Sequence, residues 1–78
     1  MDAVTEALEE ARRLLGTGDD RRAAQVLATA ALECHEPAKA AQIHALALQG
    51  RDRAGRFGRR RWEEAIRVSE ARQTTAPH

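Results

Sequence analysis

Six arginines fall within eleven residues, Arg51, Arg53, Arg56, Arg59, Arg60 and Arg61, and they are the densest chemistry in the chain. A guanidinium group stays charged at any physiological pH and presents a planar fork of donors that fits carboxylate or phosphate oxygens in pairs. Three readings follow. The cluster can dock an acidic protein, it can neutralise nucleic-acid phosphates with release of counterions, or it can be a solvated turn and helix face balanced by Glu63 and Glu64. The nucleic-acid reading is the less supported, because no second basic stripe and no set of base-stacking aromatics accompanies the cluster. Cys34, His35 and His44 are the other reactive side chains. Cys34 and His35 are adjacent and would point about 100° apart on a helix, a poor chelating geometry. A Cys–His nucleophile would also need an oxyanion donor within reach, which no motif supplies. The expectation is a protein with no catalytic residues, no metal and no cofactor, and not an enzyme.

Composition narrows what must position these groups. Of the 78 residues, seventeen are Ala and fifteen are large apolar side chains. Alanine is the best helix former and lets helix axes approach closely. Val and Ile total five, and Phe57 and Trp62 are the only aromatics, so a sheet is poorly supplied. The lone Cys34 excludes an internal disulfide. No apolar run reaches membrane-spanning length and Met1-Asp2 opens no signal peptide, which leads to the expectation of a cytoplasmic protein. Twelve of the thirteen basic residues are Arg, a bias associated with GC-rich, bacterial genomes. Residues 1–50 carry five basic and eight acidic side chains, and residues 51–78 carry eight and four.

Four segments show helical periodicity. Val4, Leu8, Ala11 and Leu15 form the first stripe, with Asp2 as cap and Gly16-Thr17-Gly18 as stop. Asp19-Asp20 opens the second, whose stripe is Ala23, Leu27, Ala30 and Cys34. Pro37 separates it from the third, about 38–49, with Ala40, Ile43, Leu46 and Ala47 on its apolar side and Gly50 as its C-terminal stop. Residues 51–55 read as a tight connection. The fourth spans about 56–72, with Phe57, Trp62, Ala65, Ile66 and Ser69 as its face, and 73–78 form a frayed tail. Short connections make consecutive helices antiparallel. The predicted fold is therefore all-α: one domain of two helical hairpins, 2–35 and 37–72, with a generic helical bundle as the alternative.

The hairpins also echo one another. Leu27-x-x-Ala30-Ala31 corresponds to Trp62-x-x-Ala65-Ile66, thirty-five residues on, and repeats of that period mark helical solenoids. With Gly18, Ala23, Leu27 and Ala30 in the first unit, and Gly58, Trp62 and Ala65 in the second, the chain resembles the tetratricopeptide repeat family. Arg53 occupies the place of the second unit's turn glycine. The resemblance implies a module that binds a protein or peptide on a groove lined by the first helix of each unit, here Thr5, Leu8, Arg12, Ile43, Ala47 and Arg51.

The function expected on these grounds is a small protein-interaction module or adaptor, a subunit of a larger assembly, self-associating as a homodimer or joining a heteromer through the fourth helix. The expected partner presents an acidic patch. The candidate binding residues are Arg51, Arg53, Arg56, Arg59, Arg60, Arg61, Trp62, Arg12 and Ile43. The alternative is a nucleic-acid-associated protein using the basic cluster.

Overall fold

The computed structural model describes residues 2–74, apart from the side chains of Phe57 and Thr74. Helix α1, Ala3–Thr17, begins at Asp2, whose carboxylate accepts the Thr5 N–H at 2.8 Å. It ends because Gly18 takes a left-handed conformation (φ 84°, ψ 10°) open at little cost only to glycine. The Gly18 N–H then donates to the Leu15 carbonyl and the Asp19 N–H to that of Leu14, closing the last turn as a Schellman motif. Helix α2, Asp20–Glu33, follows at once, with the Asp19 side chain accepting the Arg22 N–H at 3.3 Å. After a short extended link, Pro37 occupies the first position of the next helix, where its missing N–H costs nothing.

From Pro37 the chain stays helical to Thr74, with a single interruption at Gly55 (φ 69°, ψ −159°). That residue divides the run into α3 (37–54) and α4 (56–74). The four helices expected from the sequence are thus present, and among the described residues there is no strand. Three details differ. Gly50 does not stop α3, because it is buried inside the helix where the Trp62 ring lies against its backbone. The missing side chain is used for close approach there, and no break is needed. The connection expected over 51–55 shrinks to Gly55 alone, since Arg51, Asp52, Arg53 and Ala54 continue the helix. Gln73 and Thr74 belong to α4 rather than to a tail. Residues 75–78, and the placement of Phe57 on the α4 face, lie outside what the structure describes.

Contacts at the helix ends set the topology. Lys39, at the start of α3, pairs with Asp2 at the start of α1. Arg53, at the end of α3, donates to the Leu15 carbonyl at the end of α1 (2.8 Å), and Arg72 near the end of α4 donates to the Leu32 carbonyl at the end of α2 (3.0 Å). So α1 and α3 run parallel, as do α2 and α4. Within the second hairpin the Gly50–Trp62 contact and the His44–Glu70 approach of 3.8 Å make α3 and α4 antiparallel. Among the described residues, eight of the fifteen buried hydrophobic side chains are Ala. Small side chains let the axes approach, and the Cα envelope measures only 38 × 27 × 14 Å. Helix α2 is buried on two stripes, Ala23–Leu27–Ala30 and Ala24–Ala31, because it packs on α1 and on the second hairpin. Among the described residues, Leu27, Ile43 and Trp62 are the largest side chains fully removed from solvent. Ser69 is also buried, and its hydroxyl donates back to the Ala65 carbonyl at 2.6 Å, so no polar group is left unpaired there.

Candidate functional site: an arginine-lined cleft at the turn end

The two antiparallel hairpins place both of their turns, 17–19 and Gly55, at one end of the molecule. The half of the helices next to those turns (residues 11–26 and 46–64) carries ten Lys or Arg and five Asp or Glu. The opposite half carries three and seven. The chain's near-zero net charge is therefore split into a basic end and an acidic end. Stacking the hairpins adds Arg12, Arg13, Arg21 and Arg22 to the basic end, residues whose distance in sequence from Arg51 hides their shared location. The same geometry places Asp19 and Asp20 at the arginine end, although they are far from the cluster along the chain.

Within that end, Arg51 on α3 and Arg56, Arg59 and Arg60 on α4 line an open cleft with Glu63, and an adjoining depression shares Arg51, Arg56 and Arg59 with Asp52 and Gly55. Two features bring them together. Arg56, Arg59, Arg60 and Glu63 recur at three- and four-residue spacing and so share a face of α4. The sharp reversal at Gly55 then folds that face back beside the last turns of α3. Arg51 approaches Asp52 at 3.8 Å. Among the described residues, Arg56, Arg59 and Arg60 form no ion pair. Exposed guanidinium groups of one sign in a concave surface raise the local potential and attract anions.

The remaining candidates separate. Arg53 belongs to the cluster in sequence, but its guanidinium is spent on the Leu15 carbonyl, closing a helix end that has no basic residue in its own last turn. Arg61 is exposed but does not line the cleft. Trp62 and Ile43 are each 0% exposed and are core residues that no partner can reach. Leu8 and Ala47 of the expected groove are buried with them, because α1 and α3 turn these positions inward against α2 and α4. Arg12 is exposed on α1 at the same end. Gly55 was missed as a site residue, and the signal for it is its position between two arginine-rich helical stretches.

The other surfaces are weaker. The α3–α4 groove at the far side of the stack is lined by Arg51, Glu63, Ile66, Arg67, Glu70 and Ala71, so the outer face of α4 is largely charged. Among the described residues, Leu32 is the one large apolar side chain more than half exposed (53%). Cys34 is buried, with its thiol donating to the Glu36 carbonyl at 3.2 Å. Among the described residues no three His, Cys, Asp or Glu gather as metal ligands, and no helix is long and apolar enough to cross a membrane. No protein-family model, no curated protein and no solved structure matches the chain.

Proposed function

We propose that this protein is an interaction module, a stacked pair of tetratricopeptide-like hairpins, that docks an acidic segment of another protein in the cleft formed by Arg51, Arg56, Arg59 and Arg60. The observation carrying this reading is that four arginines line one cleft and, among the described residues, three of them have no ion pair. The repeat-like character is supported by the matched end contacts, which join residues 37, 38 and 40 apart in sequence. Successive hairpins are thereby superposed with a nearly constant offset, as in helical repeats. A protein partner is favoured over nucleic acid by Glu63, which lines the cleft alongside the arginines, and by Asp52 in the depression next to it. Carboxylates there repel a continuous phosphate backbone but can be spanned by a segment with spaced acidic side chains. The role is binding rather than catalysis, as an adaptor or subunit of a larger assembly.

The test compares two charge-matched triple reversals. Arg56, Arg59 and Arg60→Glu should weaken binding of a labelled Glu-rich peptide at low salt by roughly 10- to 100-fold, since each exposed charge contributes about 1 kcal/mol or less. Arg12, Arg13 and Arg21→Glu changes net charge equally but lies outside the cleft and should weaken binding several-fold less. Equal losses would reduce the cleft to bulk charge. Tighter binding of single-stranded RNA than of the peptide, with a steep salt dependence, would favour the nucleic-acid reading.

A further inference from the structure

Residues 37–74 form two helices separated by one residue. Gly55 has φ 69° and ψ −159°, a combination that side-chain-bearing residues essentially never adopt, and a Cβ built there would meet nothing within 4 Å. The position is restricted by backbone geometry alone, not by crowding. Rotating this one residue into helical geometry would join α3 and α4 into a straight helix of 38 residues, about 57 Å long. Gly55 is flanked by Asp52, Arg53 and Ala54 before it and by Arg56 after it, none of which stops a helix.

A straightened chain exposes the α3 and α4 faces that pack in the hairpin, Gly50 against Trp62 and His44 beside Glu70. A second straightened copy presents the complementary faces. We infer that Gly55 is a hinge through which two copies of this chain exchange α4, giving a dimer in which residues 37–74 form one continuous helix and Trp62 of each copy packs on Gly50 of the other. Every contact that α4 makes in the closed monomer is remade between copies, and only the hinge conformation changes, the condition under which exchange of an element is a low-cost route to dimers. The inference does not depend on what the arginine cleft binds.

The His44–Glu70 approach makes the exchange directly readable. In the closed chain these side chains are 3.8 Å apart, whereas in a straight helix the two positions lie about 39 Å apart within a chain and adjacent only between chains. On a Cys34→Ala background, His44→Cys with Glu70→Cys is treated with a short dithiol cross-linker. The closed monomer gives an intrachain link, and the exchanged dimer gives covalent dimers on a non-reducing gel. Gly55→Ala, which penalises only the closed turn, should raise the interchain fraction at least about tenfold and double the sedimentation mass, with helical content and buried-Trp62 emission retained. Refolding the parent protein at millimolar concentration should give interchain links that disappear slowly on dilution. Gly16→Ala, at an open helical site, should behave as the parent. A Gly55→Ala protein that stays monomeric with intrachain links, or that fails to regain helix at any concentration, overturns the exchange.

Discussion

Replacing Gly50 by alanine separates a helix-ending glycine from one that lets a ring approach the backbone. The added Cβ would fall inside contact distance of Trp62 Cη2 and Cζ2 and 2.6 Å from Cζ3. Trp62 is fully buried and cannot swing into solvent, so α3 and α4 must move apart or the ring must leave its preferred rotamer. Overpacking of this kind costs about 1–3 kcal/mol. Alanine returns about 1 kcal/mol of helix propensity, and the severity of the overlap places the net loss near 2 kcal/mol, roughly 10 °C in Tm for a domain of this size. Gly16→Ala, with nothing near its Cβ, should instead stabilise by about 0.4–1 kcal/mol. Thermal melts by circular dichroism measure both. The cause is isolated by repeating Gly50→Ala in a Trp62→Phe background, because phenylalanine lacks the outer ring atoms that meet the Cβ. The overlap should be relieved there, leaving the propensity gain of about 1 kcal/mol and hence a coupling of about 3 kcal/mol. A Gly50→Ala protein that melts as high as Gly16→Ala, or one equally destabilised with Phe at position 62, would show that the ring does not pack on this backbone.

Two further outcomes follow from the same packing. Ala23 is fully buried on α2, so Ala23→Leu should cost roughly 1–3 kcal/mol while Ala3→Leu, at an exposed position, stays near neutral; equal urea midpoints would refute the assigned crossing. The hydrogen bond from the Lys39 ammonium, followed by that from the Thr5 N–H, lowers the Asp2 pKa from 3.8 to about 2, and the same carboxylate raises that of Lys39. A depressed carboxyl contributes stability above its ordinary pKa and loses it as pH falls from about 3.8 to about 2, whereas the lysine's share persists below its ordinary value of 10.5 and fades above it. Asp2→Asn, which keeps a capping side chain, should therefore flatten the acid limb of stability against pH; parallel acid limbs would mean that the link between α1 and α3 does not form.

The helices themselves were legible in the sequence because their signals are local. Asp2 and Asp19 cap, Gly18 reverses the chain and Pro37 starts a helix, each through geometry reaching only three or four residues along the backbone. The apolar stripes of Leu8, Leu27, Ile43 and Trp62 likewise marked the buried faces, since helical period alone decides which side chains share a side. Burial then removed Ile43 and Trp62 from any binding surface, and assigning Ile43 to an outer groove was wrong because its exposure depends on which helix packs over it. The roles of glycine were less legible: Gly50 and Gly55 have the same composition signal, and only the distant Trp62 ring shows that one lies inside a helix while the other breaks it. The arginine cluster was visible as a run, yet the division of labour within it was not. Arg53 is drawn to the Leu15 carbonyl thirty-eight residues away, Arg51 meets Arg59 and Arg60 only because Gly55 folds α4 back, and the basic end as a whole exists because antiparallel hairpins stack their turns on the same side. Sequence by itself determined the elements and their buried faces, which follow from local backbone geometry and helical period. Which charges converge was decided by the tertiary structure, because long-range proximity is set by how the helices pack.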